Sequence, residues 1–319
     1  MKLEDVYKIF IREGMEADPR GVRVVEDELL RRKKEYDVLS DKQKESYDIE
    51  SLTNPYYDSR ILYGDANIDV RSIMVGIDIE TQELLLAKYL MSSSKNIDLV
   101  IAHHPEGYAY STFYSVIGMQ ADILSNHGIP INITEKIVSN RMKEVQNSIF
   151  PKNNERIYDV ARILNIPLMI AHTVADNQVA SFLQKEISLL NPTYLREIVD
   201  LLNKYPEYQH AIKIGHAPFI LNGNDYSKCG KVFVDMTGGA ECPIQSFERL
   251  ANAGIGTIIT MHLSPESVKE IEKYHINIIL AGHISSDNLG MNLLFDKLEK
   301  KSTEKFEFIE CSGFRRFRR

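Results

Sequence analysis

Apolar positions along the chain fall into two textures. Over the first sixty residues they recur at helical spacing, with Val6, Ile9 and Phe10 on one face and Val24 to Tyr36 carrying apolar positions among many charges. The spacing predicts helices there, and the run Glu28-Leu29-Leu30-Arg31-Arg32-Lys33-Lys34-Glu35 reads as a solvated helix face. Asp18-Pro19 and Asn54-Pro55 mark breaks between elements. From about Arg60, short β-branched runs alternate with helical stretches. Arg71 to Ile77 is followed by a helical pattern near Gln82 to Ser92 and then by Ile97-Asp98-Leu99-Val100-Ile101. A second batch of the same texture runs through Lys231-Val232-Phe233-Val234-Asp235, Gly256 to Thr260 and Ile276 to Leu280. Alternation of this kind predicts sheets with covered faces.

The expected fold class is α/β, with two related halves of mixed sheet flanked by helices, and strand ends meeting at an internal cleft. The expected divisions are an N-terminal helical extension over 1–57, a first α/β half over 58–187, a helical connection over 188–229 with a turn at Asn222-Gly223-Asn224, and a second α/β half over 230–319 that ends in a basic tail.

Composition narrows the class. The 319 residues are 44% hydrophobic and 26% charged, an ordinary globular balance. Lys and Arg number 38 against 45 acids, a net charge of −7, which gives no global pull towards nucleic acid or an anionic membrane. No apolar run approaches the roughly 20 residues that span a bilayer, and the start Met1-Lys2-Leu3-Glu4-Asp5 is unlike a signal peptide. Cys229, Cys242 and Cys311 form no C-x-x-C pair, so buried or idle thiols in a reducing compartment are expected. Together these point to a soluble cytoplasmic protein.

Four apolar runs of strand length end in histidine: Leu99 to His103-His104, Leu168 to His172, Thr257 to His262, and Ile278 to His283. Functional groups in open α/β sheets gather outside the carboxyl ends of strands. One strand-end histidine is ordinarily a hydrogen-bonded residue at a core edge; four such ends shift that balance. His172 and Asp176, and again His283 and Asp287, are four residues apart, a spacing that stacks side chains on one helical face. His103 and His104 point oppositely in a regular strand and converge only if the chain bends, as the following Pro105 favours. Imidazoles and carboxylates without thiolate suit a catalytic iron, manganese or zinc site, and the set is large enough for two metals that activate water.

At these residues the sequence resembles the Nif-three family (Ngg-one-interacting factor three-like proteins), many bacterial members of which are labelled GTP cyclohydrolase I type 2. The carrying segments are Ile101-Ala102-His103-His104-Pro105, Ala171 to Asp176, Thr237-Gly238-Gly239, and Ala281 to Gly290, in the family's order. The resemblance implies two α/β halves around a dinuclear metal site, a ring-shaped homohexamer, and His103, His104, Asp176, His283 and Asp287 as ligands to two divalent ions (Zn, Fe or Mn), with Asp287 the bridge. Where the family has glutamate, this chain has Asp287, one methylene shorter, and the expectation is that one metal is held less firmly. His172 is expected to support ligands through a hydrogen bond. Residues 1–60 and Ser188 to Asp225 are not explained by the resemblance.

Glu106 and His262 are the candidate proton carriers beside the metals; each also reads as a plain loop acid or edge histidine. Thr237-Gly238-Gly239-Ala240-Glu241 reads as a strand-to-helix turn more than as an anion cradle, since no Lys-Ser/Thr follows. The tail Gly313-Phe314-Arg315-Arg316-Phe317-Arg318-Arg319 reads as a loose or packed terminus rather than a nucleic-acid contact. The expected function is a metal-dependent hydrolase in which a metal-bound hydroxide acts on a small-molecule substrate, a nucleotide or related heterocycle. By resemblance, the sharpest version opens the GTP imidazole ring with release of formate. The alternatives are a dinuclear phosphoesterase and a non-enzymatic metal-binding regulator or scaffold.

Overall fold

Nine strands build two sheets in a computed structural model that describes residues 1–319: β1 (Ile61–Tyr63), β2 (Ser72–Gly76), β3 (Leu99–Ala102), β4 (Leu168–Ile170), β5 (Phe219–Asn222), β6 (Lys231–Asp235), β7 (Ile255–Thr260), β8 (Asn277–Leu280) and β9 (Glu307–Glu310). The first sheet has the order β1-β4-β3-β2-β9 and the second β5-β8-β7-β6. In each, three neighbouring parallel strands are joined by an antiparallel strand that comes first in sequence and lies beside the last of the three. The two halves therefore share one strand plan.

Parallel strands covered on both faces read as continuous apolar runs, which is why Ser72–Gly76 and Leu99–Ala102 are buried throughout. Their side chains alternate between two cores. Ile73, Val75, Leu99 and Ile101 pack with Val174, Ala175, Met291 and Phe295. On the opposite face, Met74, Val100 and Ala102 pack with Leu84, Ala87, Ile157 and Ala161. In the second half, Val234, Ile259 and Ile279 meet Val179, Leu183 and Leu289, while Phe233, Ile258 and Ile278 meet Phe247, Leu250 and Ile271. The helices Thr173–Leu190 and His283–Lys301 thus contribute to a core of each sheet and form a central layer between them. They approach so closely that a Cβ on Gly290 would lie 2.4 Å from the Ala175 carbonyl oxygen.

Several expected boundaries shift. The segment 1–57 is no appendage: Leu3, Val6 and Phe10 are fully buried in the core of the first sheet. The helix Leu3–Glu16 docks on the central layer, where Gln178 donates to the Glu13 carbonyl and Lys297 pairs with the Glu13 carboxylate. The run at 28–35 is only partly solvated, since Glu28 pairs with the buried Arg20 and Arg32 donates to the carbonyls of Ser51 and Asn54. The connection over 188–229 is not purely helical. It holds helices Leu195–Leu202 and Pro206–Lys213 and then the edge strand β5. Finally, β9 pairs in parallel with β2, so the last strand of the expected second half belongs to the first sheet.

The tail is packed. Phe314 is fully buried, Arg316 pairs with Asp296 and Glu299, and Arg319 donates to both carboxylate oxygens of Glu207. The three cysteines are unpaired, two of them buried. No helix is long and apolar enough to cross a membrane.

Candidate metal centre

The ladder between β2 and β3 runs on past the strand end: the His103 and His104 N–H groups donate to the carbonyls of Gly76 and Ile77. The chain then leaves the sheet at Pro105, and the two imidazole rings sit 5.2 Å apart between centroids, both facing the central layer's amino ends. Beyond β4, His172 caps the helix Thr173–Leu190 and puts Asp176 one turn inside it. Beyond β8, Gly282 caps the helix His283–Lys301 at φ 102°, a conformation that glycine adopts freely. Each half therefore supplies a His-x-x-x-Asp turn from the equivalent place in its strand plan, His172/Asp176 and His283/Asp287.

These turns converge with His103 and His104. His103 Nε2 lies 3.5 Å from Asp176 Oδ1 and 3.4 Å from Asp287 Oδ1. His104 Nε2 lies 3.4 Å from Asp287 Oδ2 and 3.3 Å from His283 Nε2. His283 Nε2 is 3.6 Å from the same Asp287 oxygen, and His172 Nε2 is 3.7 Å from Asp176 Oδ2. Two groups of ligand-type atoms close enough to hold an ion result, His103/His172/Asp176 and His103/His104/Asp287.

The residues fit a cation. Two ligands about 2.1 Å from one tetrahedral ion lie about 3.4 Å from each other, which is the spacing found. His103 Nε2, Asp176 Oδ1 and both oxygens of Asp287 are buried with no hydrogen-bond partner, an expensive arrangement unless something satisfies them. Three imidazoles are also pre-oriented. His103 Nδ1 donates to the Ala171 carbonyl at 3.0 Å, His104 Nδ1 meets Asp78 at 2.7 Å, and His172 Nδ1 meets Asp58 at 2.8 Å. With the proton held on Nδ1, each Nε2 lone pair is free, the arrangement that metal-ligating histidines use.

Electrostatics split the carboxylates. Burial, with Asp287 and Asp58 nearby, pushes the Asp176 carboxyl well up, whereas His103 and His104 overcome burial to hold Asp287 far below the usual range. Burial is likewise outweighed at His104, where Asp287 and Asp78 lift the imidazole to about 9, but it prevails at His283, which falls to about 4.

Two spaces adjoin the cluster. An inner cavity of about 60 Å³ is lined by Asp176, Asp235, Glu241 and Asp287 with His172, His262 and His283. There, burial pushes the Asp235 carboxyl up to about 7 against the Cys242 N–H it accepts. An outer cleft of about 640 Å³ opens past His104, Glu106 and His262. Both candidate proton carriers therefore border the site. The His262 ring is 4.7 Å from that of His283, and burial together with Glu80 raises the Glu106 carboxyl. The Thr237-Gly238-Gly239 turn lines the inner cavity, with Thr237 donating to Asn177 and Gln120 donating to the Gly238 carbonyl. His172, expected in a supporting role, does make such a hydrogen bond to Asp58 and also lies within ion-holding distance of His103 and Asp176. Sequence reasoning missed Asp58 and Asp78. Asp78, two residues beyond β2, was the more accessible of the two, since it shares the strand-end position of the histidines.

No family model matches the chain and no curated protein matches it. Among solved structures it is similar to a NIF3 superfamily protein from Sphaerobacter thermophilus, at 25% identity and a TM-score of 0.69 over 81% of this chain and 91% of that one. It is also similar to reduced HcgD from Methanocaldococcus jannaschii, at 15% identity and a TM-score of 0.50 over 84% and 94% of the two chains, a likeness of fold alone. With its paired sheets and strand-end histidines, the chain has the fold of the NIF3 superfamily.

Proposed function

We propose that the protein is a metal-dependent hydrolase with a dinuclear centre. His103, Asp176 and Asp287 would hold one divalent ion, and His104, His283 and Asp287 the other, with Asp287 as the bridge. The observation that carries this reading is the set of four buried ligand atoms, on His103, Asp176 and Asp287, that have no partner in the protein. Nitrogen and oxygen donors without thiolate suit Zn, Fe or Mn. Two such ions supply Lewis-acid activation of water and stabilise charge on the attacked and leaving atoms. The chain's own residues do the rest. Asp58, Asp78 and the Ala171 carbonyl fix the imidazole tautomers, and Glu106 and His262 border the cleft where protons are taken up and delivered.

The substrate class is a nucleotide or related heterocycle, and the sharpest version is opening of the GTP imidazole ring, as in the family members labelled GTP cyclohydrolase I type 2. A dinuclear phosphoesterase uses the same parts. A non-enzymatic metal-binding scaffold is the reading from a different class. By resemblance the protein works as a homohexamer, and its unpaired thiols suit a reducing cytoplasm.

Elemental analysis of protein purified without added metal tests the centre. The expected result is more than one equivalent per chain, lost in the double substitution His103→Ala, His104→Ala. Less than half an equivalent, unchanged by that substitution, overturns it. A screen of nucleotides, phosphoesters and cyclic amides with Mn, Fe or Zn tests catalysis. Turnover that depends on metal and disappears in Asp287→Ala supports the hydrolase, whereas tight metal retention without turnover favours the scaffold.

A further inference from the structure

The two spaces at the centre have opposite character. The inner cavity carries four carboxylates, those of Asp176, Asp235, Glu241 and Asp287, and no Lys or Arg. The outer cleft carries one carboxylate, Glu106, against the two cations Lys152 and Arg156. In a chain of net charge −7 this local reversal is a departure from the average surface, and a cleft with an excess of one sign of charge concentrates ligands of the other.

The two cations are free to act. Arg156 has a side chain 70% exposed, and its ion pair with Glu80 is 3.9 Å long, beyond hydrogen-bond reach. Lys152 donates one N–H to the Tyr110 hydroxyl at 2.6 Å and keeps its ammonium 4.9 Å from that ring's centroid, so two of its three donors remain available. Both sit on the segment that leads into the helix Arg156–Leu164, on the rim of the cleft. Between this rim and the histidines stands an aromatic wall. Tyr110 and Phe113 are half-buried and stacked, with centroids 6.2 Å apart and planes at 20°. Phe113 is pinned from behind by Gly239, where a Cβ would come within 2.9 Å of the ring, and its edge meets His172 at 5.6 Å. The cleft's volume of about 640 Å³ lies in the range that takes a ligand the size of a nucleotide.

We infer that the outer cleft binds a phosphorylated planar heterocycle, its phosphate on Lys152 and Arg156 and its ring along the Tyr110–Phe113 wall, with the far end presented to the histidine–carboxylate cluster. This rests on the hydrolase reading above for what happens at the cluster, but not for the binding itself. The phosphate would draw on charge-assisted hydrogen bonds from a guanidinium and an ammonium. The ring would gain stacking, which tolerates many bases because every base has a π-face. The ligand class is therefore a nucleoside phosphate, or another flat ring bearing a phosphate, rather than the free base or nucleoside.

Titration calorimetry with guanosine 5′-monophosphate and guanosine tests this, since the two probes share a ring and differ in charge. The monophosphate should bind about tenfold or more tightly than guanosine. The double substitution Lys152→Ala, Arg156→Ala should bring it down to the level of guanosine, with guanosine affinity, metal content and melting temperature unchanged. Phe113→Leu should weaken both probes alike. The inference is overturned if neither probe binds, if the monophosphate has no advantage, or if the advantage survives loss of both cations; an unchanged guanosine affinity in Phe113→Leu overturns the aromatic wall. Failure of the hydrolase reading looks different: a chain that holds no metal yet still selects the monophosphate through Lys152 and Arg156 removes that reading and keeps this one.

Discussion

Asp287 meets the Nε2 atoms of His103 and His104 at the same 3.4 Å, one carboxylate oxygen towards each. The expectation that an aspartate holds one metal less firmly assumed that the backbone stays where a glutamate would need it; the equal separations favour a backbone fitted to the shorter side chain. Asp287 is 1% exposed and borders the inner cavity, so a longer side chain would carry its oxygens past the two imidazoles they now face. We expect Asp287→Glu to disturb this fit, lowering metal occupancy by elemental analysis and costing about 1–3 kcal/mol in denaturant unfolding. A rise in occupancy would contradict this. His127 makes a separate point, far from the cluster in sequence and contact. Its ring packs on Phe233 at 4.1 Å, its Nδ1 has no partner, and burial holds its pKa near 4. An unfolded histidine titrates near 6.5, so the unfolded chain takes up the proton first. The stability that depends on neutral His127 is whole above pH 6.5 and is lost as pH falls towards 4, by about 2 kcal/mol after solvent screening. Denaturant melts at pH 7.5 and 4.5 should show a smaller difference in His127→Gln than in wild type.

Between elements, the contact that positions the centre is the crossing of the helices Thr173–Leu190 and His283–Lys301. Gly290 to alanine on an exposed helix face stabilises by up to about 1 kcal/mol. Here the new Cβ would lie 2.4 Å from the Ala175 carbonyl oxygen, so the helices must part and carry Asp176 away from Asp287. We expect Gly290→Ala to destabilise by about 1–3 kcal/mol and to release metal, measured on the same sample by denaturant midpoint and elemental analysis; a stabilised variant would refute the packing argument. The parallel strands were legible in the sequence because strands covered on both faces must be apolar throughout. The strands β1, β5 and β9 were not, because they are short and only partly buried, and their pairing depends on partners far away in the chain. The same reasoning divides the site. His103, His104, His172 and His283 announce themselves at strand ends. Asp58, however, becomes a partner of His172 only through a contact 114 residues long. The arginines of the tail were visible, but their acids, Asp296, Glu299 and Glu207, were not.

For the whole molecule, the central helices belong to the cores of both sheets, the N-terminal helix packs on the first core, and β9 closes the edge of the first sheet. With the central helices shared by the cores of both sheets, thermal unfolding should be a single transition whose calorimetric and van't Hoff enthalpies agree; two resolved transitions would show that the halves melt independently. The return of β9 also orders events during synthesis. Nascent chains fold their early segments first, but here the first sheet stays open along β2 until residues 307–310 emerge, after the entire second sheet has been made. His103, His104 and Asp176 leave the ribosome more than a hundred residues ahead of their partners His283 and Asp287. The centre is therefore completed only near the end of translation, and a chain cut short before Glu307 carries every ligand yet leaves an unpaired strand edge, a template for aggregation.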